Sequence, residues 1–362
     1  MSNLMQASEQ WRSRPADQRF VSLKELNDHL QYVRQHSAGK VVSSRALTVA
    51  PVDGTVNGLR LVGPNGNAAE LTHWSFGQLA QRAGAPAGYL RELPAALAAD
   101  NLNFGLGYAR DVEDLGVLLY KNSGPVELRA VTGPAYGRVW NSTISKALLD
   151  RFGDERTFRV PGEFGQRVEV TKDNTTLYAS DRDMFVFLAD EDHRITIQDR
   201  RDGQSGDLAR GFFVWNSEVG AQTFGVATFL FDYVCCNRIV WGATEYKEIR
   251  IRHTSSAPDR WIEEVAPAIE SYANSSTRNI VQAIENAKAK RIDTGIEEFL
   301  RKRFTGTQAR GIMAAHMADE QRPIESLWDA ATGVTAYARG IAYQDDRVKL
   351  EREAGAILDL AA

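Results

Sequence analysis

Residues 211–220 read Gly-Phe-Phe-Val-Trp-Asn-Ser-Glu-Val-Gly. The first half is aromatic and β-branched, the composition of a buried strand. The second half ends it. Asn216 and Ser217 hydrogen-bond to their own backbone in a turn, and Gly220 supplies a positive φ. A second apolar run at 223–233 follows the turn, so this stretch announces paired strands.

Outward from there the period-two pattern persists through residues 103–257. It predicts strands at 117–120, 126–131, 168–170, 184–188, 194–198 and 247–253, with one helix at 142–152 closed by Gly153. Upstream, Ser22 and Glu25 form a capping-box pattern ahead of a helix over 22–36. Short strands at 41–42, 47–49 and 59–62 are separated by Asp53-Gly54, Asn57-Gly58 and the turn at 63–66. Ser75 and Gln78 predict a helix to residue 83, and another covers 87–100 with a break at Pro94. After Pro258 the pattern is helical: 261–286 with a kink at Pro267, then 295–304, 307–319, 324–339 and 345–360. There is no βαβ alternation. The expected fold is α+β, a central, mostly antiparallel twisted sheet with N-terminal helices and an all-helical C-terminal region. The expected parts are a polar arm at 1–20, a mixed subdomain at 21–102, a β-rich core at 103–257 and a helical region at 258–362.

Composition narrows the function. The 362 residues carry 43 Lys+Arg against 47 Asp+Glu, a balance that argues mildly against strong duplex binding but leaves room for a local basic face. The two cysteines, Cys235 and Cys236, are adjacent, so no disulfide framework is expected, and the scattered histidines predict no zinc site. The start lacks an apolar leader and no stretch is long enough for a membrane helix, so a cytoplasmic location is expected. Gly-x-Gly-x-x-Gly, the P-loop, His-Glu-x-x-His and Gly-x-Ser-x-Gly are all absent, and no cofactor is expected.

Four places could carry chemistry. Asp181 and Asp183 would share a face if extended and could hold a metal; a solvated turn before the next strand is the favoured reading. Ser217 and Glu218 could act as nucleophile and base only with a third orienting group, and a structural turn is favoured. Arg238 could activate Cys235 or Cys236, against a default of buried thiols. The most suggestive pattern interleaves basic and aromatic residues. Arg129, Arg138, Arg250 and Arg252 are candidates for phosphate contacts, with Tyr136 and Trp140 as stacking platforms for bases. Arg250 and Arg252 alternate with Ile249 and Ile251, which would turn both guanidiniums outward if the isoleucines face the core.

Several stretches resemble a phage/plasmid-like family, domain-of-unknown-function family 932. They are residues 79–86 with Tyr89-Leu90, 129–141, Asn216 to Gly220, 235–240, Arg252-His253-Thr254 and 327–335. Together they extend over about residues 75–345. Arg238 departs from the family, which tends to have Gly after the Asn. The resemblance implies a mobile-element origin and no established activity. With the basic and aromatic interleaving, the leading expectation is a non-enzymatic single-stranded DNA-binding or strand-annealing protein, acting as a homo-oligomer, that assists recombination or replication of a mobile element. The alternatives are a metal-dependent enzyme acting on nucleotides or nucleic acid through Asp181, Asp183, Glu218 or His253, and a protein-interaction module that blocks a host defence complex.

Overall fold

The Gly206–Asn216 strand is the spine of the larger of two sheets. The computed structural model describes residues 15–55, 58–109, 111–153, 158–160, 169–173, 175–190, 192–198, 205–232, 237–239, 248–341 and 344–361. Within them the larger sheet runs Arg19–Phe20, Leu177–Ala179, Met184–Asp190, Gly206–Asn216, Phe224–Asp232, Asn237–Ile239, every pair antiparallel. Phe158–Arg159, Ile195–Ile197 and Glu248–Ile251 add to its edges.

Alternation sends successive side chains to opposite faces. Met184, Val186, Leu188, Phe212, Val214 and Val226 join a core with helices Leu23–Gln35, Asn141–Phe152 and Ala266–Asn274. The other face is aromatic and equally buried. Phe187 stacks on Phe229 at 4.3 Å and Phe213 on Trp215 at 5.3 Å. Gly211 lies opposite Phe229 and Gly225 opposite Trp215, and in each case a Cβ would overlap the ring. The two glycines thus make room for the Phe229 and Trp215 rings.

The smaller sheet runs Ser37–Ser43, Asp114–Tyr120, Glu127–Thr132, Ala68–Leu71, Leu59–Val62, Thr48–Pro51. Only the Ala68–Leu71 and Glu127–Thr132 pair is parallel. Helices His73–Ala83 and Ala95–Phe104 cover one face, burying Leu79, Ala80, Ala98 and Leu102. Asp114–Tyr120 and Glu127–Thr132, expected in the β-rich core, therefore pair into the N-terminal sheet instead. A period of two reveals a strand but not its neighbours.

The α+β class holds, with two sheets in place of one. Ser22 caps its helix as expected, accepting from the Glu25 amide at 3.1 Å. The cap of the next helix is Thr72 rather than Ser75, because Thr72 Oγ1 accepts the Ser75 N–H. The end of the expected arm is ordered: Ala16–Gln18 forms a 3₁₀ turn, and Arg19–Phe20 pairs with the Leu177–Ala179 strand. Glu169 and Val170 form no strand; Val168, like Cys235 and Cys236, lies outside the described residues. The expected helix at 261–286 is interrupted. Trp261–Val265 is a π turn ahead of Pro267, which lacks the N–H an α-helix needs, and a break after Asn274 precedes Arg278–Ala289. The remaining helices, including Gly306–Glu320 and Leu327–Arg339, enclose a second core around Trp328 and Ile312 that reaches Leu208 and Leu230 of the large sheet. Among the described residues no helix is long and apolar enough to cross a membrane.

Arg210 fastens a helix to the large sheet from within. Its Nε and Nη2 donate to Asp190 at 3.2 Å, and its other bonds go to the carbonyls of Tyr272, Ala273 and Ser275 at the C-terminal end of helix Ala266–Asn274. A cation there complements the helix dipole. Arg210→Met leaves Asp190 buried without its cation and is expected to cost about 3–5 kcal/mol in chemical denaturation. Arg210→Lys should recover only part, since an ammonium cannot reproduce the planar fork.

Candidate functional site

The junction between the two sheets is polar, and it is built on the turn that opened the sequence. Helix Asn141–Phe152 begins after Trp140, whose indole offers no capping acceptor. Glu218 supplies one from another part of the chain: its Oε1 accepts the Asn141 N–H at 2.8 Å. Its Oε2 accepts from Arg129 Nη1 at 3.1 Å, and the two side chains are only 5% and 4% exposed. Arg129 Nη2 donates to the Asp181 carbonyl at 3.1 Å.

The rest of the turn is held just as closely. Asn216 Nδ2 donates to the Val139 carbonyl and to Asn141 Oδ1, each at 2.7 Å. Ser217 Oγ donates to the Arg182 carbonyl at 2.6 Å and accepts the Val219 and Ala221 amides. Gln78 and Trp74, from the helix on the small sheet, both donate to the Val219 carbonyl. Gly220 has φ of 79°, as its place in the turn requires. The turn is structural, as the sequence reading has it, but only Ser217 bonds to its own backbone; Asn216 is a correction, because its side chain reaches the remote Val139 and Asn141 instead. The Ser217 proton is committed to a carbonyl and the Glu218 carboxylate to a cation and an amide, which leaves no nucleophile–base pair.

Beside the turn lies a ladder of cations and rings. Arg34 sits 4.0 Å from the Trp140 ring centre, and Arg138 lies 5.5 Å from Trp140 and 5.4 Å from Tyr136. Tyr136 stacks on His253 at 4.8 Å. The Tyr136 hydroxyl donates to the Ser217 carbonyl at 2.8 Å, and Arg138 Nε donates to the Glu218 carbonyl at 2.7 Å. Burial pushes the Tyr136 phenol pKa up. Burial lowers the Arg138 pKa, an effect that Tyr136 and Glu218 oppose. Among the described residues neither Arg34 nor Arg138 has a carboxylate partner, and Arg34 is exposed. His253 Nδ1 donates to the Gly137 carbonyl at 3.0 Å, leaving the lone pair on a buried Nε2 that has no partner. Burial holds the pKa of this imidazole below its ordinary value, the Gly137 bond opposes that, and Arg138 adds to it.

The six predicted contact residues therefore do not share one trough. Arg129 is a correction: it points inward and is consumed by Glu218 and Asp181. Tyr136, Arg138 and Trp140 do meet, but Tyr136 already carries His253 and Arg138, so it is not an open platform for a base. Arg250 is exposed with its guanidinium 5.9 Å from Trp215 on the aromatic face, whereas Ile251 enters the opposite core. Arg252 is exposed one residue beyond that strand. The residue missed was Arg34; it lies 106 positions from Trp140, and nothing local marks that contact. Asp181, Asp183, Glu218 and His253 do not assemble either. Asp183 is buried and accepts from Ser180, Asp181 is exposed, and among the described residues no group of three His, Cys, Asp or Glu could hold a metal.

Fold and site together define an α+β scaffold whose two sheets are locked by a buried ion pair, with a half-exposed cationic ladder at the seam. The family described as a domain of unknown function (DUF932) matches residues 166–356, more than half of the chain, and the chain belongs to that family. The match contains the Glu218 turn and His253 but begins after Arg129, Arg138 and Trp140. No curated protein and no solved structure matches the chain.

Glu218→Gln is expected to destabilise the fold by about 3–5 kcal/mol in urea, because Arg129 stays buried without its counter-charge. The pH response follows from His253. The unfolded chain takes up a proton near the ordinary pKa of 6.5, and the native imidazole does so only at lower pH. Stability is thus fully present above that value and falls as pH drops through it toward the lower pKa of the native imidazole. His253→Phe should flatten part of that fall in thermal melts.

Proposed function

We propose that this chain is a non-enzymatic, single-stranded nucleic-acid-binding accessory. The observation that supports the reading is the ladder Arg34–Trp140–Arg138–Tyr136–His253, where two guanidiniums lie at the seam of the sheets with no carboxylate partner among the described residues. A guanidinium held over an indole keeps its charge while losing rotamer freedom, so it meets a phosphate at reduced entropic cost. Trp140 then serves by orienting Arg34 rather than by stacking a base. Contacts of this kind follow a backbone and carry no sequence information. The phage- and plasmid-type setting belongs to the same reading, in which the chain assists strand annealing or replication of a mobile element.

Fluorescence anisotropy with a labelled single-stranded oligonucleotide tests this. Binding should be strong at about 50 mM salt and weaken steeply by about 200 mM. Replacing Arg34 by Ala and Arg138 by Gln together should reduce the salt slope by about 1.4, roughly 0.7 for each lost phosphate contact. Absence of binding at the lower salt, with the protein folded, overturns the reading.

A further inference from the structure

Strand Leu59–Val62 and helices His73–Ala83, Ala87–Glu92 and Ala95–Phe104 line a half-open cavity of about 190 Å³ remote in sequence from the ladder. Its floor is apolar: Leu59, Phe76, Leu90 and Ala98 are all buried. Its rim is cationic. Arg91 is exposed, lies 5.0 Å from the Phe76 ring centre and donates Nη2 to the His73 carbonyl at 3.1 Å. No acidic side chain occurs among the described lining residues, and no described carboxylate pairs with Arg91. The rest of its guanidinium fork is therefore available to a ligand.

We infer that this cavity binds a small amphipathic carboxylate, with the hydrocarbon against the floor and the carboxylate on Arg91. The polar side chains of the lining select that chemistry: Arg91 and His73 are exposed, whereas the buried floor residues carry no polar side chain. The only hydroxyl in the lining, on Thr72, is committed to Ser75: it donates to Ser75 Oγ and accepts the Ser75 N–H. A nucleobase placed here would strand its exocyclic donors and acceptors, a cost that hydrocarbon avoids. The volume lies below the roughly 300 Å³ at which drug-sized sites begin, which matches one ring or a short chain. An Arg fork recognises a carboxylate in two-point geometry and discriminates against its uncharged amide. This inference is independent of the nucleic-acid reading.

Isothermal titration of the full chain with benzoate and hexanoate, against benzamide and hexanamide, tests it. The carboxylates are expected to bind saturably and the carboxamides about tenfold more weakly or worse. Arg91→Gln should erase that difference in a protein that is still folded by circular dichroism, and Ala98→Leu should abolish binding of all four by filling the floor. Oligonucleotide affinity of Arg91→Gln should equal that of the wild type, so failure of one proposal does not decide the other. Lack of saturable binding by either carboxylate at millimolar concentration overturns the inference. So does equal binding of acid and amide, or displacement of hexanoate by an oligonucleotide.

Discussion

The molecule depends on one buried pair of charges, Arg129 with Glu218. Each is costly to remove from water, and the pairing alone would scarcely repay that cost. The remaining valences make the difference. Glu218 spends its second oxygen on the first amide of helix Asn141–Phe152, and Arg129 spends its second nitrogen on the Asp181 carbonyl. One interaction thereby joins the small sheet, the large sheet and the helix between them.

The same logic recurs at the other end of the spine strand. Glu218 lies just past the end of Gly206–Asn216 and meets a helix at its N-terminus; Arg210 lies near the start and meets a helix at its C-terminus. A carboxylate faces the positive end of one dipole and a guanidinium the negative end of the other. The large sheet thus organises the helices through oriented charge as well as through the apolar face that they share.

Much of this was legible in the chain. The strands at 184–188 and 211–215 and the Asn216 to Gly220 turn follow from local composition and were read in place. Sheet membership was not legible, because Glu127–Thr132 takes its partners from residues 68–71 and 114–120, which only long-range pairing selects. Ala68–Leu71 passed unread as a strand, since Ala-Ala-Glu-Leu has no β-branched or aromatic residue to mark it. The candidate site was read in part. Tyr136, Arg138 and Trp140 do cluster, but Arg129 turns inward because strand alternation and an acidic partner 89 residues away decide its direction. A basic residue in a strand has the same composition whether it meets solvent or a hidden carboxylate.

That 89-residue separation has a consequence for biosynthesis. The ribosome delivers Arg129 and the whole N-terminal sheet well before Glu218 is made. Until then the nascent sheet must keep its guanidinium hydrated and its seam unsealed, and helix Asn141–Phe152 lacks its first-turn acceptor. The N-terminal half is therefore a provisional structure during translation, and only the emergence of the later turn closes it.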